Sequence, residues 1–182
     1  MPPLSAILRR LLPRRGVPIR WVTPYLAVGP AFETSSARRL AAEGIAAVVD
    51  LRATENHDAS RLAEAGLQLL HLPVPDRGAP TIEQLEGGTS WVQTRVERGV
   101  PVLIHCRGGQ GRSVVMACAV LLRMGYPLSM AHGLVQQATG IVAPTDRQLA
   151  ALVEFSDRLR QKTGPVDLGR PALDGGRTSL WS

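Results

Sequence analysis

The segment Val102-Leu103-Ile104-His105-Cys106-Arg107-Gly108-Gly109-Gln110-Gly111-Arg112-Ser113 carries more structural information than any other part of the chain. Pro101–His105 is an apolar run of strand length. Ser113–Met124 is an apolar run of helical length. Between them lies a loop that contains Gly108, Gly109 and Gly111. A buried strand, a glycine-rich loop and a helix N-terminus together suit a doubly charged anion. The glycines let backbone N–H groups turn inward without Cβ clashes. The helix beginning near Arg112 points its positive end at the same spot. Arg112 can clamp two oxygens with a planar fork. Cys106 sits where these fields converge, and a positive field favours thiolate over thiol. Its pKa is therefore expected to be depressed, which makes it a nucleophile at neutral pH.

The flanking sequence alternates between strand and helix patterns. Ile19–Val22, Tyr25–Val28, Ile45–Leu51 and Leu67–Leu72 read as strands, the last broken by Pro73 and Pro75. Ser35–Glu43 reads as a helix capped by Thr34 or Ser35 and stopped by Gly44. Asp58–Ala65 reads as a helix ending in Gly66. Ile82–Arg98 reads as a helix interrupted by Gly87 and Gly88, and Leu128–Ala138 and Asp146–Gln161 close the set. This pattern predicts an α/β fold with a central, mostly parallel sheet flanked by helices. Active sites in such sheets lie at the carboxyl ends of the strands, which is where Cys106 falls.

His105-Cys106 followed by five residues and Arg112-Ser113 resembles the signature of cysteine-dependent protein tyrosine phosphatases. The surrounding chain is similar to their small, atypical dual-specificity branch over roughly residues 20–160. Trp21–Gly29 looks like that domain's entry strands, Val48–Arg52 like its second core strand, and Leu72–Asp76 like its general-acid loop. Gly140–Gln148 occupies the place of its final active-site loop. The resemblance implies a compact catalytic domain over 19–162 and a phosphocysteine intermediate. Cys106 is then the nucleophile, Arg112 the phosphate clamp and Asp76 the general acid. Ser113 helps the thiolate leave, and His105 supports the loop. Arg107, Gly108, Gly109, Gln110, Gly111 and Arg112 form the phosphate cradle. Asp50 is the runner-up acid, although pairing with Arg52 is the expected role. Asp146 and Gln148 are candidates for positioning water. Some phosphoinositide phosphatases of the superfamily carry two lysines in this loop; here Arg107 leans toward a more anionic substrate, and the absence of lysine weakens that reading.

Composition narrows the function classes. The 182 residues are 45% hydrophobic and 20% charged, which suits one globular domain with short tails. Two cysteines are too few for a disulfide scaffold. Aromatic residues at 4% argue against a base-stacking platform, so no nucleic-acid partner is expected. The net charge of +6 resides almost wholly in residues 1–20, which hold Arg9, Arg10, Arg14, Arg15 and Arg20 and no acid. Residues 1–18 are expected to be a flexible basic arm. Contact with an anionic membrane or organelle targeting is the alternative for it, in an otherwise cytoplasmic protein. Residues 163–182, rich in Gly and Pro, are expected to be a disordered tail. His57, His71 and His132 show no ligand spacing and read as structural or surface residues. No metal or other cofactor is expected.

The leading functional expectation is a phosphomonoester hydrolase acting on phosphotyrosine proteins, with phosphoserine and phosphothreonine as further substrates. A phosphoinositide or other phospholipid head-group phosphatase is the second enzyme reading. A non-catalytic phosphate-binding module is the alternative from another class. A rhodanese-type sulfur transferase also places a cysteine in such a loop, but it has no need of Asp76.

Overall fold

β5 (Val102–His105) is the central strand of a five-stranded sheet ordered β1-β2-β5-β3-β4 in the computed structural model. That structure describes residues 17–54, 56–140 and 142–163. The expectations for the basic arm and the tail fall almost entirely outside these residues. The other strands are β1 (Arg20–Thr23), β2 (Leu26–Gly29), β3 (Ala47–Arg52) and β4 (Gln68–Val74). β1 pairs with β2 antiparallel, and the remaining pairs are parallel. The helices are α1 (Ala37–Ala42), α2 (Ala59–Glu64), α3 (Ile82–Glu97), α4 (Arg112–Arg123), α5 (Leu128–Thr139) and α6 (Asp146–Thr163).

Strand alternation divides the core into two layers. Val28, Val49, Leu51 and Ile104 face α3, α4, α5 and α6, with Leu85, Val92, Val135 and Phe155 packed against them. Ala27, Val48 and Leu103 face the other way, onto Leu40 of α1 and Leu62 of α2. By the same alternation Asp50 and His105 belong to the α1–α2 side, and the register sets them opposite each other. Helix α4 is the centre of the larger layer. Its residues Arg112–Leu122 are all buried. A helix that is apolar on every side needs neighbours on every side, and α3, α5, α6 and the sheet supply them. Each buried Val or Leu on it contributes about 1.5–3 kcal/mol.

Three local expectations are corrected. Strand β4 runs through Pro73 to Val74, whereas the sequence reading ended it at Leu72. β4 is an edge strand, where a residue without an N–H is tolerated. Helix α3 is continuous across Gly87 and Gly88. Gly88 marks a close crossing: a Cβ there would lie 2.7 Å from Leu72 Cδ1 and 3.0 Å from Met116 Cε. The expected helix Ser35–Glu43 begins as a 3₁₀ turn at Thr34–Ser36 and becomes α-helical at Ala37, with no side-chain cap bond. Helix α2 carries a side-chain cap: the Asp58 carboxylate accepts from the N–H groups of Ser60 and Arg61.

Candidate active site

The loop between β5 and α4 wraps around Cys106. Gly109 N–H donates to the Cys106 sulfur at 3.3 Å, and the Ser113 hydroxyl lies 3.4 Å from it. Burial alone would raise the Cys106 pKa. The Ser113 hydroxyl, the N–H groups of Ser113 and Gly109 and the Arg112 charge outweigh it, so the thiol lies below its ordinary value. Cys118 is the contrast. It sits inside α4 with none of these donors, and burial pushes it up to about 12.

One glycine is needed for this shape, and a second lies close to a neighbouring side chain. Gly109 has φ +73, and a Cβ on it would lie 2.7 Å from the Gly29 carbonyl carbon. Left-handed backbone and close approach to β2 both demand glycine there. A Cβ on Gly111 would lie 2.9 Å from Gln148 Oε1. The loop is also tied to its surroundings by main chain. Ala31 N–H donates to Arg107 O at 3.0 Å, and Ala143 N–H donates to Gln110 O at 2.9 Å.

Arg112 is buried and held by the strand ends. Nη1 donates to Val74 O, at the end of β4, at 2.7 Å and to Leu51 O, one residue before the end of β3, at 3.4 Å. Nη2 donates to Asp76 Oδ1 at 2.8 Å. Asp76 stands on the turn after β4, with its side chain 63% exposed. The structure places Ser113 and the Arg112 charge beside Cys106, and Asp76 on Arg112. Arg107, Gly108 and Gln110 are exposed on the loop.

A buried polar cluster underlies the loop. Asp50 accepts from Arg52 at 2.8 Å, which settles Asp50 as a strand-end partner. Its side chain is fully buried, so it does not reach a leaving group. His57 Nε2 lies 3.0 Å from His105 Nε2, and Thr34 Oγ1 lies 3.3 Å from His57 Nδ1. Phe32 stacks on His57 with centroids 4.2 Å apart. His105 Nδ1 faces Cys106 O at 3.4 Å. Burial pushes His105 down to about 4, and the Asp50 carboxylate only partly opposes it. Burial lowers His57 as well.

Asp50, His57 and His105 offer ligand atoms within 4.8 Å of one another, so the expectation of no clustered ligands is corrected. The chemistry of the cluster nevertheless disfavours a cation. Arg52 Nη2 sits 2.8 Å from Asp50 and 3.3 Å from His57, so a guanidinium already supplies the positive charge. Sequence reasoning missed the part His57 plays, because nothing in its spacing ties it to His105. His71 is a structural residue, with Nε2 2.7 Å from Arg52 O. Gln148 Oε1 accepts from Thr145 N–H and Nε2 donates to Gly78 O, so its amide joins the start of α6 to the turn after β4. Asp146 lies in the first turn of α6 and is exposed.

Cys106, Arg112 and Asp76 thus stand around one strand–loop–helix junction. The comparisons with known proteins show the family. Residues 29–126 match a family model described as "Tc-R-P: Polymorphic toxin system, DSP-PTPase phosphatase". The chain belongs to this dual-specificity phosphatase family, within the cysteine-dependent protein tyrosine phosphatase superfamily. It is 26% identical over 162 residues to dual specificity protein phosphatase 1 of Homo sapiens, covering 87% of this chain and 42% of that protein. It thus spans about two fifths of that relative's length. The crystal structure of Tk-PTP in the active form superposes with a TM-score of 0.71 at 29% identity, covering 77% of this chain and 97% of that one. PTPMT1 in complex with PI(5)P shares the fold, with a TM-score of 0.72 at 20% identity over 79% of this chain and 97% of that one.

Proposed function

We propose that this protein hydrolyses phosphomonoesters on proteins through a phosphocysteine intermediate, with phosphotyrosine as the first substrate and phosphoserine and phosphothreonine as further ones. The observation that carries this reading is the Cys106 sulfur under two donors, Gly109 N–H and the Ser113 hydroxyl, beside the guanidinium of Arg112.

In the first step the Cys106 thiolate attacks phosphorus. The S–P bond forms as the bond to the ester oxygen breaks, and Asp76 gives that oxygen a proton. The three equatorial oxygens carry the charge, and Arg112 with the loop N–H groups stabilises it. The incoming phosphate takes over Arg112 Nη2 from Asp76, which frees the carboxyl to serve the leaving oxygen. In the second step water attacks phosphorus. The Asp76 carboxylate accepts its proton, and the thiolate leaves toward the Ser113 hydroxyl. The positive charge in this scheme comes from protein groups, so activity survives a chelator such as EDTA.

A phosphoinositide head group is the second reading. Arg107 favours it, since it stands exposed on the loop directly after the nucleophile. A panel of aryl phosphate, phosphopeptides of all three types and phosphoinositide vesicles separates the readings. Turnover of phosphotyrosine peptide above the vesicles supports the first. No turnover of any phosphomonoester sinks both and leaves a binding module.

A further inference from the structure

The turn that carries Asp76 is gripped at both ends by glutamines of two capping boxes. Helix α3 opens with Thr81 and Gln84. Gln84 N–H donates to the Thr81 hydroxyl at 3.2 Å, and Gln84 Oε1 accepts from Thr81 N–H at 3.0 Å. Helix α6 repeats the pattern with Thr145 and Gln148, at 3.4 and 3.0 Å. In both boxes the oxygen of the glutamine completes the cap. Glutamate serves equally well for that purpose. The amide nitrogen is left over, and in both cases it reaches the same turn. Gln84 Nε2 donates to Pro73 O at 2.8 Å, and Gln148 Nε2 donates to Gly78 O at 2.7 Å. Asp76 lies between these two carbonyls.

The turn between them has reason to need holding. Arg77, next to Asp76, adopts φ +58, a left-handed conformation that costs an arginine free energy. Asp76 and Arg77 are exposed, so core packing does little to fix them. Gly78 N–H donates to Pro75 O at 2.9 Å and closes the turn. The Thr145 hydroxyl lies 3.4 Å from Arg77 O and adds a second strut from the α6 side. Gln148 is only 2% exposed, and its oxygen also lies against the Gly111 position of the phosphate loop. It thus links the loop that binds phosphate to the turn that supplies the proton.

We infer that Gln84 and Gln148 are positioning residues for the general acid, each tethering one end of the Asp76 turn through its side-chain amide. The inference rests on Asp76 being the acid of the proposed phosphatase. An acid displaced by about 1 Å loses much of its rate advantage while binding is kept. The loss is greatest for substrates whose leaving oxygen needs the proton.

The test uses Gln84→Glu and Gln148→Glu in the full chain. Each change keeps the oxygen that caps the helix and sets an oxygen against the turn carbonyl in place of the amide donor. Each removes the one donor to the turn. Thermal melting of each variant checks that the fold is retained. The expected result is a fall in kcat of about tenfold per variant on a phosphoserine peptide, and under about twofold on p-nitrophenyl phosphate. KM is read separately, because the added charge near the phosphate loop acts on both substrates alike. In an Asp76→Ala background the same changes are expected to cost nothing further on the peptide. Equal kcat losses on both substrates, or a loss that persists without Asp76, overturn the inference and mark the glutamines as general scaffold. Unchanged kcat on the peptide overturns it as well. If Asp76→Ala alone leaves the peptide rate intact, the assignment of the acid falls first and this inference falls with it. If Asp76→Ala behaves as expected and the glutamine variants do not, only this inference falls.

Discussion

Asp76 and Arg112 form an ion pair, with Oδ1 2.8 Å from Nη2. One partner is exposed and the other is almost fully buried. Asp76 therefore stands on the rim and reaches in toward the buried guanidinium of Arg112.

Removing that carboxylate has a leaving-group signature. Asp76→Ala is expected to slow a phosphoserine peptide by roughly 10²–10⁴ and p-nitrophenyl phosphate far less, because nitrophenolate hardly needs a proton. Arg112 is freed from its partner at the same time, so phosphopeptide affinity is expected to hold or rise. Steady-state kinetics on the two substrates and a binding titration check this. Equal losses on both substrates would return the search for the acid to Asp146.

Cys106→Ser removes the nucleophile without removing the cradle. A hydroxyl at this position stays protonated where the thiol ionises, so turnover is expected to fall by several orders of magnitude. Phosphate binding is expected to remain, since Arg112 and the loop N–H groups are untouched. The wild-type thiolate should be trapped as a phosphoenzyme in rapid acid quench, and the variant should yield none. Retained turnover in the variant excludes the covalent route.

Stability should depend on pH through the buried histidine pair. His105 has a folded value of about 4, against 6.5 in the unfolded chain, and His57 shifts in the same direction. As pH falls below 6.5 the unfolded chain takes up protons that the folded chain refuses, so stability is lost until pH reaches about 4. From His105 alone the loss between pH 7 and pH 5 is about 2 kcal/mol. Urea denaturation at the two pH values measures it. His105→Asn is expected to flatten the slope, and an unchanged slope would mean that the pair does not titrate this way.

Gly109→Ala tests the loop geometry. The methyl group meets the Gly29 backbone at 2.7 Å in a conformation that L residues avoid. The loop must rebuild, and the N–H bond to Cys106 is lost with it. A fall in kcat/KM of about 100-fold on p-nitrophenyl phosphate is expected, since the donor no longer favours the thiolate. Alkylation of Cys106 by iodoacetamide at pH 6 should slow in parallel. Normal alkylation with lost turnover would place the damage elsewhere.

Much of the site was legible because its parts are neighbours in the chain. The strand, cysteine, glycines, arginine and helix fall within Val102–Met124, where composition and spacing suffice. Asp76 was legible only through resemblance, because no local pattern ties it to Arg112. The Asp50–Arg52–His57–His105 cluster was only partly visible. Pairing of Asp50 with Arg52 is local, but His57 meets His105 across 48 positions, and only the folded chain fixes that meeting. Pro73 and Gly88 misled for a related reason. Each breaks a local preference that tertiary context overrides, at a sheet edge for Pro73 and at a helix crossing for Gly88.

The enclosure of α4 has a consequence for how the protein fails under stress. Its amides from Val115 to Leu122 sit among the most deeply packed groups, so their exchange with deuterium should require near-global opening. Strand β4 and the Asp76 turn lie at the sheet edge and should exchange through smaller, more frequent excursions. Mild heat or denaturant is then expected to loosen the Asp76 turn, and with it the Val74 carbonyl that anchors Arg112, before it opens the packing of α4 around Cys118.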